Sequence, residues 1–286
     1  MLLKENLKDV QHLGIPVLNI DKAVKWYEDV LSFKIINEAI IPRLEGNIKI
    51  VFLRLNDIIL ELYQLVGEEY EELKTRTHGK IDHIAIDVLS VKEALEHLKQ
   101  KGVQVNIENT KEKICINDLW YKDVNYINIF SQNGEKIELK ERLDLEKQWS
   151  KDIIGGWSHL GIPVTNIQKS VEFYNLFGFH EVSKEKVKEN NEYTIISMME
   201  RDGLILELYQ LSEKDLEKIK QRRHGYIDHI AFNVKDAQRA YLELKEKGLK
   251  LIEDNPIAVP CWDKGSLYFM IEGPDGEKLE FNEKIY

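Results

Sequence analysis

The sequence predicts an α+β fold built from four β-α-β-β-β modules, and three observations carry that expectation. The first is a tandem duplication: HLGIPV occurs at residues 12–17 and again at 159–164, 147 residues apart. ILELYQL recurs at 59–65 and 205–211, and IDHIA at 81–85 and 227–231, each pair 146 apart. The second is that each half divides again, because an alternating apolar strand opening on a histidine precedes an amphipathic helix twice per half. The third is the turn chemistry after each helix, which breaks the following chain into short strands.

Taken in order, His12-Leu-Gly-Ile opens the first strand. Ala23, Val24, Tyr27, Val30 and Leu31 then fall at helical spacing within residues 19–31, with Asn19 or Asp21 as the cap. Strands are expected at 34–39, 48–55 and 57–64, with Asn56-Asp57 at the last turn, and a short connecting helix within 67–80. His83-Ile-Ala-Ile opens the second module; Ser90-Val-Lys-Glu93 reads as a capping box, Ala94, Leu95 and Leu98 as the buried stripe, and Gly102 as the stop. Strands at 126–130 and 135–140 flank Asn133-Gly134, a hairpin signal, and the fourth module has Asp275-Gly276 in the same place. Asn166 and Asp236 cap the helices of the third and fourth modules, and 212–226 connects them. The modules then cover 8–66, 80–141, 157–212 and 226–284. The halves cover 1–142 and 157–286, with a charged linker at 143–156 that ends in Gly155-Gly156.

At 286 residues the chain can form two domains, and 43% hydrophobic with 31% charged residues is ordinary for a globular protein. A net charge of −10 argues against nucleic acid or an anionic membrane as partner, since both need a basic surface. No signal peptide or membrane span is expected. Cys115 and Cys261 do not align between the halves, so a disulfide framework is not expected and a reducing, cytoplasmic setting fits. The expected partner is a small-molecule substrate, and the chain is expected to be a monomer with internal pseudo-dimer symmetry, or a homodimer.

Chemistry is carried by the strand faces. In 59–65, Ile59, Glu61, Tyr63 and Leu65 share one face, so Glu61 is an acid among apolar neighbours, and a buried carboxylate needs a cation, a donor or a metal. Glu207 repeats this between Ile205 and Tyr209. His12, Gly14 and Pro16 share a face, and the missing side chain at Gly14 leaves room beside the imidazole. A lone strand histidine is more often a hydrogen-bonded core residue than a ligand, and Glu138 and Glu280, beside Lys136 and Lys140 or Lys278 and Asn282, read in isolation as solvated edges. Recurrence changes this reading. His12/Glu61, His83/Glu138, His159/Glu207 and His229/Glu280 keep one order at a spacing of about 50 residues in all four modules.

On HLGIPV, DHIAI and GPDGEKLEF the chain resembles the vicinal oxygen chelate superfamily, which includes glyoxalase I, methylmalonyl-CoA epimerase, fosfomycin-resistance proteins, bleomycin-resistance proteins and extradiol dioxygenases. The resemblance spans nearly the whole chain as two glyoxalase-like domains. It implies that pairs of modules form curved, cup-shaped mixed sheets with a metal in the cup. It also implies His12, Glu61, His83, Glu138, His159, Glu207, His229 and Glu280 as ligands. Two imidazoles and two carboxylates per site suit an octahedral divalent ion: nickel, cobalt, zinc, manganese or iron. The activity implied is a lyase or isomerase of the glyoxalase I type, acting on a small α-hydroxycarbonyl or thiol-adduct substrate. The resemblance implies that the metal would stabilise an enediolate and that one of Glu61, Glu138, Glu207 or Glu280 would move the proton. Two glutamates per site fit glyoxalase I better than the epimerases, where one position is usually Gln. An extradiol dioxygenase using His159, His229 and Glu280 is the enzymatic alternative, although no acid-base histidine follows His229. A metal-free sequestering protein of the bleomycin-resistance kind is the non-enzymatic one. Which modules pair is left open: first with second and third with fourth, or first with fourth and second with third.

Further candidates for contacting substrate are His78 and His224, in RTHG and RRHG, with Arg76 and Arg222 able to meet an anionic group. The plainer reading, preferred here, is that these histidines end the connecting helices near the negative end of the helix dipole. Trp120 and Trp262 either line the pocket mouth or pack in the core. His97 and His180 lack counterparts and are expected at the surface.

Overall fold

A computed structural model describes residues 5–103, 111–115, 123–143, 153–189 and 192–286. The first module runs β1 (Leu7–Pro16), α1 (Ile20–Leu31), β2 (Lys34–Arg43), β3 (Gly46–Leu55) and β4 (Ile58–Gln64). Asn19 caps α1 by accepting from the Lys22 amide, a contact that typically contributes about 1 kcal/mol. Ser32 ends the helix in the left-handed region. The buried stripe is Ile20, Ala23, Val24, Tyr27, Val30 and Leu31. Each large member of such a stripe contributes about 1.5–3 kcal/mol by leaving water. Asn56 makes the turn between β3 and β4 with φ of 52°, and Asp202 does the same in the third module with φ of 50°.

The connecting helix α2 (Gly67–Leu73) leads to β5 (His83–Val88), α3 (Val91–Gln100), β6 (Lys111–Cys115), β7 (Asp123–Phe130) and β8 (Lys136–Arg142). The third module follows as β9 (Ile154–Pro163), α4 (Ile167–Leu176), β10 (His180–Glu189), β11 (Glu192–Arg201) and β12 (Leu204–Gln210). After α5 (Glu213–Gln221) come β13 (His229–Val234), α6 (Ala237–Glu246), β14 (Lys250–Leu251), β15 (Ile257–Val259), β16 (Ser266–Glu272) and β17 (Lys278–Lys284). Gly155 and Gly156 do not end a linker; they lie inside β9. Their role is close approach, since a Cβ on Gly156 would fall 2.3 Å from Oδ1 of Asp57.

Sheet pairing settles the question the sequence left open. β1 pairs antiparallel with β13, with Leu13 opposite Ile230 and Gly14 opposite His229. β9 pairs antiparallel with β5, with Leu160 opposite Ile84 and Gly161 opposite His83. Among the described residues one sheet therefore has the order β14-β16-β17-β13-β1-β4-β3-β2, with β15 beside β16. The other has the order β10-β11-β12-β9-β5-β8-β7-β6. The first sheet joins the first and fourth modules; the second joins the two middle ones. The halves 1–142 and 157–286 are thus units of sequence repetition, and each sheet draws one module from each half.

The two sheets meet through contacts between repeated segments. Gly79 and Gly225 face each other so closely that a Cβ on Gly79 would lie 2.1 Å from the Gly225 nitrogen, and Ile81 bridges Ile227 beside them. Asp57 accepts from the Trp157 amide at 3.1 Å. Alternation along β1 sends Leu13 and Ile15, both fully buried, toward the helices, and leaves His12 and Gly14 on the concave face. No helix among the described residues is long and apolar enough to cross a membrane.

Candidate metal centres in two cups

In the first cup, β1 supplies His12, β4 supplies Glu61, β13 supplies His229 and β17 supplies Glu280. The two Nε2 atoms are 3.4 Å apart. Oε2 of Glu61 lies 3.3 Å from Nε2 of His12 and 3.5 Å from that of His229. Glu280 lies 3.9 Å from His12 and 3.5 Å from His229. Residues more than two hundred positions apart converge here because β1 and β13 are neighbours. Gly14 makes the approach possible, since a Cβ there would fall 1.9 Å from Cε1 of His229. The room it leaves is for the imidazole of the paired module, not for that of its own strand.

The second cup repeats the plan with His83, Glu138, His159 and Glu207. Its Nε2 atoms are 3.1 Å apart, and Glu207 lies 3.6 and 3.5 Å from His83 and His159. Glu138 lies 3.9 Å from His159. A Cβ on Gly161 would fall 2.0 Å from Cε1 of His83. His12, Glu61 and His229, and likewise His83, His159 and Glu207, offer donor atoms all within 4.8 Å of one another. Imidazole nitrogens about 2.1 Å from one ion and at right angles would stand about 3 Å apart, so both donor sets fit a six-coordinate divalent ion.

Residues the sequence reading passed over hold these imidazoles in place. Nδ1 of His83 and of His229 donate to Asp82 and Asp228 at 3.1 and 3.3 Å, which leaves each Nε2 facing the cup. Asp228 in turn accepts from Arg76 at 2.9 Å and from Lys278 at 3.1 Å. Asp82 accepts from Arg222 at 2.7 Å and Lys136 at 3.1 Å. The aspartate of IDHIA is duplicated along with its histidine and with the arginine upstream, and that was the available signal. His12 is held instead by Oε1 of Gln11 at 3.1 Å, and His159 faces Oγ of Ser158 at 3.4 Å.

Charge in the first cup is strongly polarised. Burial pushes the Glu61 carboxyl up, but His12 and His229 outweigh it and hold the group at about 2. Burial lowers the His229 imidazole, yet Asp228, Glu61 and Glu280 together raise it to about 10. Glu280 is raised, chiefly by burial, against the pull of both imidazoles. In the second cup, burial and then the charge of Lys140 lower His159, while His159, His83 and Lys140 hold Glu207 well below the usual carboxylate range despite its burial.

The first cup opens into a cavity of about 240 Å³ whose walls include Ile41, Ile50, Val259 and Met270, with Arg43 among its lining. Of the other expected site residues, Arg76 and Arg222 are engaged with Asp228 and Asp82. His78 packs against Phe130 and Tyr226, and Nδ1 of His224 is buried without a hydrogen-bond partner. Trp262 packs at a tilt against Phe52, ring centroids 4.5 Å apart, and Phe52 meets the edge of His12 at 5.5 Å. Trp120 lies outside the described residues. His180 is exposed beside Glu200, whereas His97 is partly buried with Nε2 against the Val30 carbonyl. The triad His159, His229 and Glu280 is not assembled: His159 belongs to one sheet, and His229 with Glu280 to the other. Buried Cys261 lines the first cavity, its thiol pushed up to about 12 by burial and then by Glu61 and Glu280.

The family model of the Glyoxalase/Bleomycin resistance protein/Dioxygenase superfamily matches residues 9–138 and 156–281. The chain belongs to this superfamily. It is 28% identical over 130 residues to the uncharacterized protein YwbC of Bacillus subtilis, covering 44% of this chain and 95% of that protein. It is 27% identical over 109 residues to the mitochondrial methylmalonyl-CoA epimerase of Bos taurus, covering 37% of this chain and 61% of the epimerase. In fold it is similar to glyoxalase I from Zea mays, with a TM-score of 0.72 at 18% identity, over 99% of this chain and 94% of that one.

Proposed function

We propose that the chain is a divalent-metal-dependent lyase or isomerase of the glyoxalase I type, acting on a small α-hydroxycarbonyl or thiol-adduct substrate. The observation that carries this reading is the convergence of two imidazoles and two carboxylates from four different strands in each cup. His12, Glu61, His229 and Glu280 would hold an ion, and His83, Glu138, His159 and Glu207 form a second set of the same donor types. When bound, the ion would act as a Lewis acid on the substrate oxygens, making a neighbouring C–H bond more acidic. The protein's own part is to hold the imidazoles in one tautomer through Gln11, Asp228 and Asp82, and to offer substrate a first-cup cavity with both apolar and charged walls. A glutamate of the set takes the proton from the carbon beside the carbonyl and returns it to the adjacent one. Relatedness to methylmalonyl-CoA epimerase supports the shared step, proton transfer next to a carbonyl. The reading extends to a cytoplasmic protein, a monomer with internal pseudo-dimer symmetry or a homodimer.

The test is metal analysis of protein purified without chelator, followed by turnover of a panel of hemithioacetals and acyl thioesters. Stoichiometric nickel, cobalt, zinc, manganese or iron with chelator-sensitive isomerisation is expected. No bound divalent ion, or ligand binding indifferent to chelator, would point to a sequestering protein. Ring cleavage of catechol with iron(II) and oxygen would point to a dioxygenase.

A further inference from the structure

The two cups differ in charge beside the last-strand glutamate. Along β17, Lys278, Glu280 and Asn282 share a face, and along β8 the same places are Lys136, Glu138 and Lys140. Asn282 is buried in the first cup; it donates to Oε1 of Glu280 at 2.8 Å and accepts from Gln11 at 3.1 Å. Its neutral amide lets Gln11 reach His12, so the donor set is oriented without an added positive charge. Lys140 is only 5% exposed, and its ammonium lies 3.9 Å from Oε1 of Glu138. Glu138 in turn stands 3.9 Å from His159, so one carboxylate links the ammonium to the imidazole pair.

We infer that Lys140 is a built-in cation of the second cup, so that the chain holds one tightly bound divalent ion, in the first cup. This rests on the metal-dependent reading above and assigns its ion to one of the two donor sets. The physical reason is substitution of charge. An ammonium 3.9 Å from the ligand carboxylate satisfies part of its charge, which at that separation inside a protein is a large effect, and it repels an incoming dication. The second cup keeps its His/Glu set as a hydrogen-bonded polar core, with Lys140 supplying the positive charge that the ion supplies in the first.

The test is titration of the full, chelator-treated chain with Ni²⁺, read by isothermal calorimetry and by metal retained after gel filtration. Wild type should bind one equivalent tightly, His12→Ala should lose it, and His159→Ala should keep it. Lys140→Asn, which copies Asn282, should tighten the second equivalent by roughly 100-fold or more, as expected for charges this close. Lys140→Met, which keeps the apolar stem, should do so without adding a ligand, and circular dichroism checks that both variants fold. Two equally tight equivalents in wild type, or a single equivalent in folded Lys140→Asn and Lys140→Met, would overturn the inference while leaving the metal reading intact. No tight equivalent in wild type would overturn both.

Discussion

The first and second cups are built from the same repeated strands, yet they differ in what surrounds the candidate ligands. In the first, Gln11 and Asn282 form a neutral hydrogen-bonded chain to His12 and Glu280, and Phe52 packs edge-on against His12. In the second, Ser158, Lys140 and Met198 stand at these places. Duplication has thus kept the four donors and the aspartate-arginine support while the residues next to them diverged. A ligand set recognised by its pattern is therefore a weaker statement than a site recognised by its neighbours.

The comparison can be broken most directly at the ligands. His12→Ala should lower turnover by about 10³-fold, the scale of losing a Lewis acid worth several kcal/mol, whereas His159→Ala should change it less than about two-fold. Equal losses would erase the distinction between the cups. Crowding the glycines is the next probe. Gly14→Ala drives a Cβ into the His229 ring and should cost up to about 3 kcal/mol in denaturant unfolding while weakening the first site; Gly161→Ala should destabilise by a similar amount without touching the tight ion. A smaller effect is expected one bond further out. Asp228→Asn should weaken the tight ion by about 10–100-fold in a competition with chelator, and Asp82→Asn should leave it unchanged.

The smallest expected effect lies behind the sheets, where the second and fourth modules bury matching glutamates. Glu277 accepts from Tyr174 at 3.0 Å and from the Asp275 amide at 3.0 Å, and burial raises it to about 7. Both oxygens of Glu135 are buried without a hydrogen-bond partner, and burial raises this group to about 8. A carboxyl raised in the folded state supports folding fully below its ordinary value of 4.5 and loses that contribution as pH rises through the raised value. Glu135→Gln should therefore match wild type near pH 4 and be more stable by about 1 kcal/mol or more at pH 9, by urea denaturation. Glu277→Gln should gain less, because its carboxyl is better solvated by hydrogen bonds and the amide gives one of them up. A gain at low pH instead would reverse the assigned sign.

The convergence of the candidate donors was readable in part because its information is local and repeated. His12, His83, His159 and His229 stand at fixed offsets from Glu61, Glu138, Glu207 and Glu280, and strand alternation alone places each on a definite face. The caps Asn19, Ser90, Asn166 and Asp236 were legible for the same reason, since each accepts from an amide three residues on. Arg76 and Arg222 could stand as candidate substrate contacts because a basic residue beside a glycine turn gives no hint of its partner. Their partners, Asp228 and Asp82, lie 152 and 140 residues away. Glu138 and Glu280 looked like solvated edges from their flanking Lys140 and Asn282, and it is the packing of β8 and β17 into the sheets that buries those neighbours.

What the sequence determined by itself was the module: its helix, its strands, and one histidine and one glutamate on a common face, all set by periodicity and capping within about 60 residues. What only the tertiary structure decided was which modules share a sheet. That choice depends on contacts between segments far apart in the chain: Gly14 under His229, Gly161 under His83, and Gly79 against Gly225. Backbone and ring atoms approach there too closely for any side chain, and a local pattern carries no record of what lies opposite.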